Sequence, residues 1–148
     1  MPAPFHLPDF LPYRLTTLAA RVSRHLSAAY GQVQELSVPE WRVMAHLHEA
    51  GEVSVRDIQI AAGLEKSRVS RAVARLGAAG LVQKVQGLSD ARLVAISLSP
   101  AGVAALSQLL PIALAVEERL LEGVPPADLA AFLRVIAQLD ARLVGDAA

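Results

Sequence analysis

The chain has 148 residues, a formal net charge of zero, 53% hydrophobic residues and no cysteine. That length suffices for one sizeable core. The missing thiols exclude disulfides, thiolate metal sites and cysteine redox switches, which fits a cytoplasmic protein without requiring one. With no run of 18 or more apolar residues, no membrane-spanning segment is expected.

Residues 1–10 are proline-rich and read as extended, a segment suited to packing on a neighbour. They have neither the basic flank nor the apolar stretch of a signal peptide. A long helix is expected from Pro12. Its apolar stripe is Leu15, Leu18, Ala19, Val22, Leu26, Ala29, Tyr30 and Val33, with Gly31 near its end. Ser37-Val38-Pro39 opens the next helix, with Pro39 in its first turn and Gly51 ending it. Trp41, the single tryptophan, reads as a core anchor ahead of a ligand contact.

The stretch from Ser54 to Leu98 organises the rest. Ser54 followed by Asp57 resembles a capping box, with Asp in place of Glu or Gln. Ile58, Ala61 and Ala62 give a short helix a small apolar face, and Gly63 stops it. In the next helix Val69, Ala72, Val73 and Leu76 fall at i, i+3, i+4 and i+7, one buried face. Arg68, Arg71 and Arg75 form a second stripe, beside Ser67, Ser70 and Ala74, and Gly80 stands where a left-handed cap belongs. Arginine suits phosphate and guanine edges, and small hydroxyls suit phosphate oxygens. An ordinary solvated helix would show the same face in isolation. Two helices joined by a tight glycine turn, however, make a helix-turn-helix. Leu81 to Gln86 and Leu93 to Leu98 then alternate as two strands around Gly87-Leu88-Ser89-Asp90-Ala91-Arg92. That tip reads as a wing whose Arg92 enters a minor groove with Asp90 holding it, or as a plain surface hairpin with a loop ion pair.

Ser99-Pro100 opens a helix to about Glu122, which either kinks or divides at Pro111. Gly123-Val124-Pro125-Pro126 breaks the chain, and a last helix runs from about Ala127 to Val144. Its seam is Leu129, Phe132, Leu133, Ile136, Leu139 and Leu143. The charge is unevenly spread. Residues 51–99 hold seven basic and four acidic side chains, and residues 100–148 hold three and six. A basic middle beside an acidic flank fits a DNA-facing module in a helical frame. The apolar helices at the two ends need cover, and a two-fold dimer supplies it. Such a dimer sets its recognition helices about 34 Å apart on a pseudo-palindromic site. The expected organisation is one unit over 1–148. Its winged helix-turn-helix part is 37–99, and its helical dimerisation parts are 11–36 and 100–146. The fold class is mainly α with a small β-hairpin wing.

The order and spacing of these pieces resemble the MarR family of bacterial winged-helix regulators. The matching pieces are Ser37-Val38-Pro39-Glu40-Trp41-Arg42-Val43-Met44, the helix-turn-helix from Asp57-Ile58 through Val69 to Leu76, Gly80-Leu81-Val82, Ser89-Asp90-Ala91-Arg92, Leu98-Ser99-Pro100-Ala101-Gly102 and the two helical arms. The resemblance implies a homodimeric repressor, less often an activator, which leaves double-stranded DNA when a small aromatic or acidic molecule binds. It puts the wing arginine at Arg92, with Asp90 as its holder, and recognition-helix contacts at Lys66, Ser67, Arg68, Ser70 and Arg71. Ser54, Arg56, Arg75 and Lys84 complete the candidate DNA contacts. The wing loop is poorer in basic residues than in many relatives, and without cysteine the peroxide-sensing branch does not apply.

An effector site is less defined. Arg14, Arg21, His25, Arg42 and His46 are polar groups on otherwise apolar helices. The bland reading, which is favoured, leaves them exposed or paired with Glu35, Glu40 or Glu49. The sharper one lets Arg21, His25, Trp41, Arg42 and His46 hold an aromatic carboxylate or an aryl-CoA thioester. Metal is not expected, because His46 and His48 are two apart and metal pairs prefer i, i+4. No cofactor is expected. An enzyme is not expected either, since the chain has no GxSxG elbow, no phosphate-cradling glycine loop and no HExxH. The alternative function is a winged-helix protein-interaction module without direct DNA binding.

Overall fold

The computed structural model describes residues 3–31, 35–86 and 94–146. Two compact units divide the chain, Met1–Leu114 and Ala115–Ala148.

In the first unit, Leu7–Asp9 forms a single 3-10 turn where an extended segment was expected. Pro8 fixes φ near the helical value there, and the Phe10 N–H donates to the Leu7 carbonyl at 3.1 Å. Helix α1 follows over Leu11–Tyr30. Helix α2, Val38–Ala50, has a full capping box. Ser37 Oγ accepts from the Glu40 N–H, and Glu40 Oε2 accepts from the Ser37 N–H, both at 3.3 Å. Two donors of the first turn that a helix leaves unsatisfied are thereby met.

Strand β1 is only Val53–Ser54. Ser54 both ends it and caps α3, Val55–Ala62, accepting from the Asp57 N–H at 3.1 Å. Gly63 takes φ 62° and turns the chain into α4, Lys66–Ala78. Gly80 has φ 74°. Around it the Leu81 N–H donates to the Leu76 carbonyl at 2.9 Å and the Gly80 N–H to the Gly77 carbonyl at 3.0 Å. This double bond pattern with a left-handed residue is a Schellman cap, and a side chain at Gly80 would strain it.

Strands β2, Val82–Gln86, and β3, Val94–Leu98, pair antiparallel with Lys84 opposite Ile96. β1 pairs on the other side of β3, so the sheet order is β1-β3-β2. Helix α5, Pro100–Leu120, runs on through Pro111 without dividing.

Its first turn is locked to the loop leaving α4. Ser99 Oγ accepts from the Gly102 N–H at 3.0 Å and donates to the Gly80 carbonyl, and the Ser99 N–H donates to the Leu81 carbonyl at 3.0 Å. Gly102 is buried, and a Cβ there would overlap the Leu81 carbonyl oxygen. By length and composition α5 is the one described helix apolar enough to cross a membrane, with a mean hydropathy of 1.4 over its window. Its Gly102, Ala105, Leu106 and Leu109 are instead buried within this unit. Ala105, Leu106 and Leu109 join Val43, Met44, Leu47, Ile58, Val69, Leu76 and Ile96 in a single core.

The second unit holds the end of α5 and helix α6, Pro126–Asp146. None of its described residues is buried. Along α6, Phe132, Leu133, Val135, Ile136, Leu143 and Val144 are all exposed. In the first unit Phe5, Phe10, Leu11, Tyr13 and Leu18 are likewise exposed.

Candidate nucleic-acid interface

Helix α4 is positioned by its own apolar face. Val69, Ala72, Val73 and Leu76 are buried, and α4 packs against α2 and α3. Each larger side chain among them contributes about 1.5–3 kcal/mol of burial. Lys66, Ser67, Arg68, Ser70 and Arg71 consequently stand on the outside, all exposed. Arg71 Nε donates back to the Ser67 carbonyl at 3.3 Å, which steadies the base of the side chain and leaves its terminal nitrogens free of that bond.

Arg75 is tied differently. Its Nη1 lies 3.2 Å from Glu40 Oε1, linking α4 to the cap of α2. Glu40 is 4% exposed, while the Arg75 side chain is 76% exposed. The arginine therefore reaches in from solvent to a carboxylate that has little access to water. Glu40 consequently meets Arg75, where the sequence had offered it as a partner for Arg14, Arg21, His25, Arg42 or His46.

Two clefts flank α4. One, of about 1060 Å³, is lined by Arg68, Arg71 and Arg75 of α4, by Arg24, Ser23 and Ser27 of α1, by Glu40 and Arg42 of α2 and by its cap Ser37. The other, of about 570 Å³, lies between α4 and the sheet and brings Ser70 together with Lys84. Arg56 stands exposed on α3, and Ser54 serves as the α3 cap. Asp90 and Arg92, with the rest of the wing tip, lie outside the described residues.

The residues suggested for an effector do not share one of these cavities. Arg21 lines a third cavity, of about 440 Å³, with Tyr13, Arg14 and Leu18 along α1, whereas Arg42 lines the cleft beside α4. His25 is exposed, and His46 and Trp41 are half-buried. The Trp41 ring packs on Tyr30 with centroids 5.2 Å apart, as a core anchor does. Tyr30 is fully buried, and its hydroxyl has no partner among the described residues. Burial pushes its phenol above the ordinary value. No group of three or more His, Asp or Glu side chains among the described residues is placed to hold a metal.

A helix-turn-helix whose second helix turns basic side chains outward, followed by an antiparallel strand pair, defines a winged-helix protein. Residues 36–94 match the MarR family, so the stretch from α2 to the start of β3 is a MarR-type winged helix-turn-helix. The HTH-type transcriptional repressor IacR of Pseudomonas putida is 24% identical over 132 residues, 89% of this chain and 78% of that protein. A MarR/EmrR family transcriptional regulator from Acinetobacter sp. ADP1 superposes with a TM-score of 0.88 at 25% identity, over 95% of this chain and 99% of its own. BpsR of Bordetella bronchiseptica, whose DNA binding is regulated by 6-hydroxynicotinic acid, superposes with a TM-score of 0.85 over 93% of this chain and 98% of its own. At 21% identity that likeness speaks for the fold alone.

Sequence reasoning missed three features. The Ser37/Glu40 box was visible as S-x-x-E. The Glu40–Arg75 pair joins residues 35 apart in sequence, and Arg24 and Arg68 come to line one cleft only in three dimensions, so spacing carried no sign of either.

Proposed function

We propose that this chain is a cytoplasmic homodimeric repressor that lays α4 in the major groove of a pseudo-palindromic DNA site, and that it is not an enzyme. The outward Lys66, Ser67, Arg68, Ser70 and Arg71, set on a helix fixed by its buried opposite face, carry this reading. Arg56 and Lys84 extend the basic surface, with Arg92 as the wing contact and Asp90 as its holder. IacR, a repressor, supports it by likeness. The exposed apolar side chains of α6 and of the first turns of the chain support dimerisation through 11–36 and 100–146. The winged helix-turn-helix part is 37–99.

A small aromatic acid is the proposed effector. Arg14, Arg21 and Tyr13 around an otherwise mainly apolar cavity match a carboxylate on a ring. The 6-hydroxynicotinic acid of BpsR is of that class. An aryl-CoA thioester is the larger variant.

The test is binding to duplexes selected from genomic DNA, followed across a salt series. Log affinity should fall linearly with log salt, by about 0.9 for each phosphate contacted. Absence of duplex binding at low salt would favour the protein-interaction alternative. Calorimetry with a panel of aromatic acids tests the effector, and no heat from any of them would remove it.

A further inference from the structure

We infer that the cleft beside α4 is a phosphate-binding site in which Arg24 and Arg42, which lie off the recognition helix, join Arg68 and Arg71 on a pair of adjacent phosphate groups. All four line the same cleft of about 1060 Å³. Its single acidic lining residue is Glu40, and Glu40 is already matched by Arg75 at 3.2 Å. Among the described residues the other four arginines make no salt bridge. The cleft is thus left with four uncompensated guanidinium groups on three different helices. A concave surface lined by one sign of charge concentrates potential and draws in counter-ions.

The kind of anion follows from the donors. Guanidinium forks match phosphate oxygens two at a time, which a compact ammonium does not do. Ser27 and Ser37 add hydroxyls of the sort that meet phosphate oxygens. Four positive charges exceed what one carboxylate would balance and suit a diphosphate. Two sources offer that chemistry: neighbouring phosphates of a bound DNA strand, and a soluble diphosphate compound. A soluble ligand would occupy Arg68 and Arg71 directly and so exclude the duplex. The DNA source rests on the function proposed above; the soluble source does not.

The experiment compares the wild-type protein with the Arg24→Gln/Arg42→Gln variant. Both side chains are exposed, so the fold is expected to persist, and circular dichroism checks it. In the first arm, sodium pyrophosphate is titrated into DNA-free protein by calorimetry at low salt. Binding to wild type that is weakened by about tenfold or more in the variant assigns a soluble diphosphate. In the second arm, affinity for a random duplex is followed against salt. A slope shallower by about 1.8 in the variant assigns the DNA strand. Changes in both arms assign a site shared in competition. If wild type binds duplex and neither arm differs between the proteins, the cleft is not a phosphate site, while the proposed function stands. If wild type ignores duplex yet the variant loses pyrophosphate binding, the site stands and the proposed function falls.

Discussion

Glu40 shows what a single residue holds together. One oxygen accepts from the Ser37 N–H and completes the α2 cap; the other meets Arg75 of α4. Truncating Arg75 leaves a nearly buried carboxylate with only its capping bond. Arg75→Ala is therefore expected to lower stability by about 1–3 kcal/mol, measured by urea unfolding. Arg75→Ala combined with Glu40→Gln should cost less than the two changes separately, because the variants remove one shared contact. Additive costs would show that the pair is not coupled.

Tyr30 makes a pH prediction. Its folded-state pKa is raised by burial, so the folded protein prefers the neutral phenol. That contribution is complete below the ordinary value of about 10 and is lost as pH rises through the higher folded value. Thermal stability should fall on the alkaline side of pH 10. Tyr30→Phe should flatten that fall without weakening the fold at neutral pH, since the hydroxyl has no partner among the described residues.

At the level of the element, α4 divides its labour by face. Arg71 belongs to the outward face, with its Nε steadied by the Ser67 carbonyl. Arg71→Ala is expected to weaken a selected site by about 1–3 kcal/mol more than random DNA if it reads a base edge. Equal losses on both DNAs in a fluorescence anisotropy titration would make it a phosphate contact. Helix positions, the Gly63 turn and the Gly80 cap were legible in the sequence because each depends on neighbours within a few residues. Two-residue β1 was not, since Val53–Ser54 is a strand only by virtue of its partners Ile96 and Ala95. The same limit hid the grouping of Arg24 with Arg68 and Arg71. Periodicity reports which residues share a face, not what another helix brings to it.

The whole molecule has more apolar surface than either of its units covers. Phe132 and Ile136 of α6 are 47% and 41% exposed, one helical turn apart. Sedimentation should report about twice the 15.7 kDa of one chain. Phe132→Glu with Ile136→Glu should yield single subunits that bind an operator more weakly than the parent. A parent that sediments as one chain would remove the dimer and, with it, the two-half-site geometry.

The knot at Ser99 constrains how this regulator can move. Two hydrogen bonds and a glycine with no room for a methyl fasten the foot of α5 to the strip of backbone that leaves α4. Gly102→Ala should therefore loosen that seam, costing about 1–3 kcal/mol of stability, readable as earlier thermal melting. In the intact protein the seam acts as a rigid weld rather than a hinge: tilting the foot of α5 has to carry the exit of α4 with it. Any signal that shifts α5 there would reach α4 mechanically, with no flexible linker to absorb it.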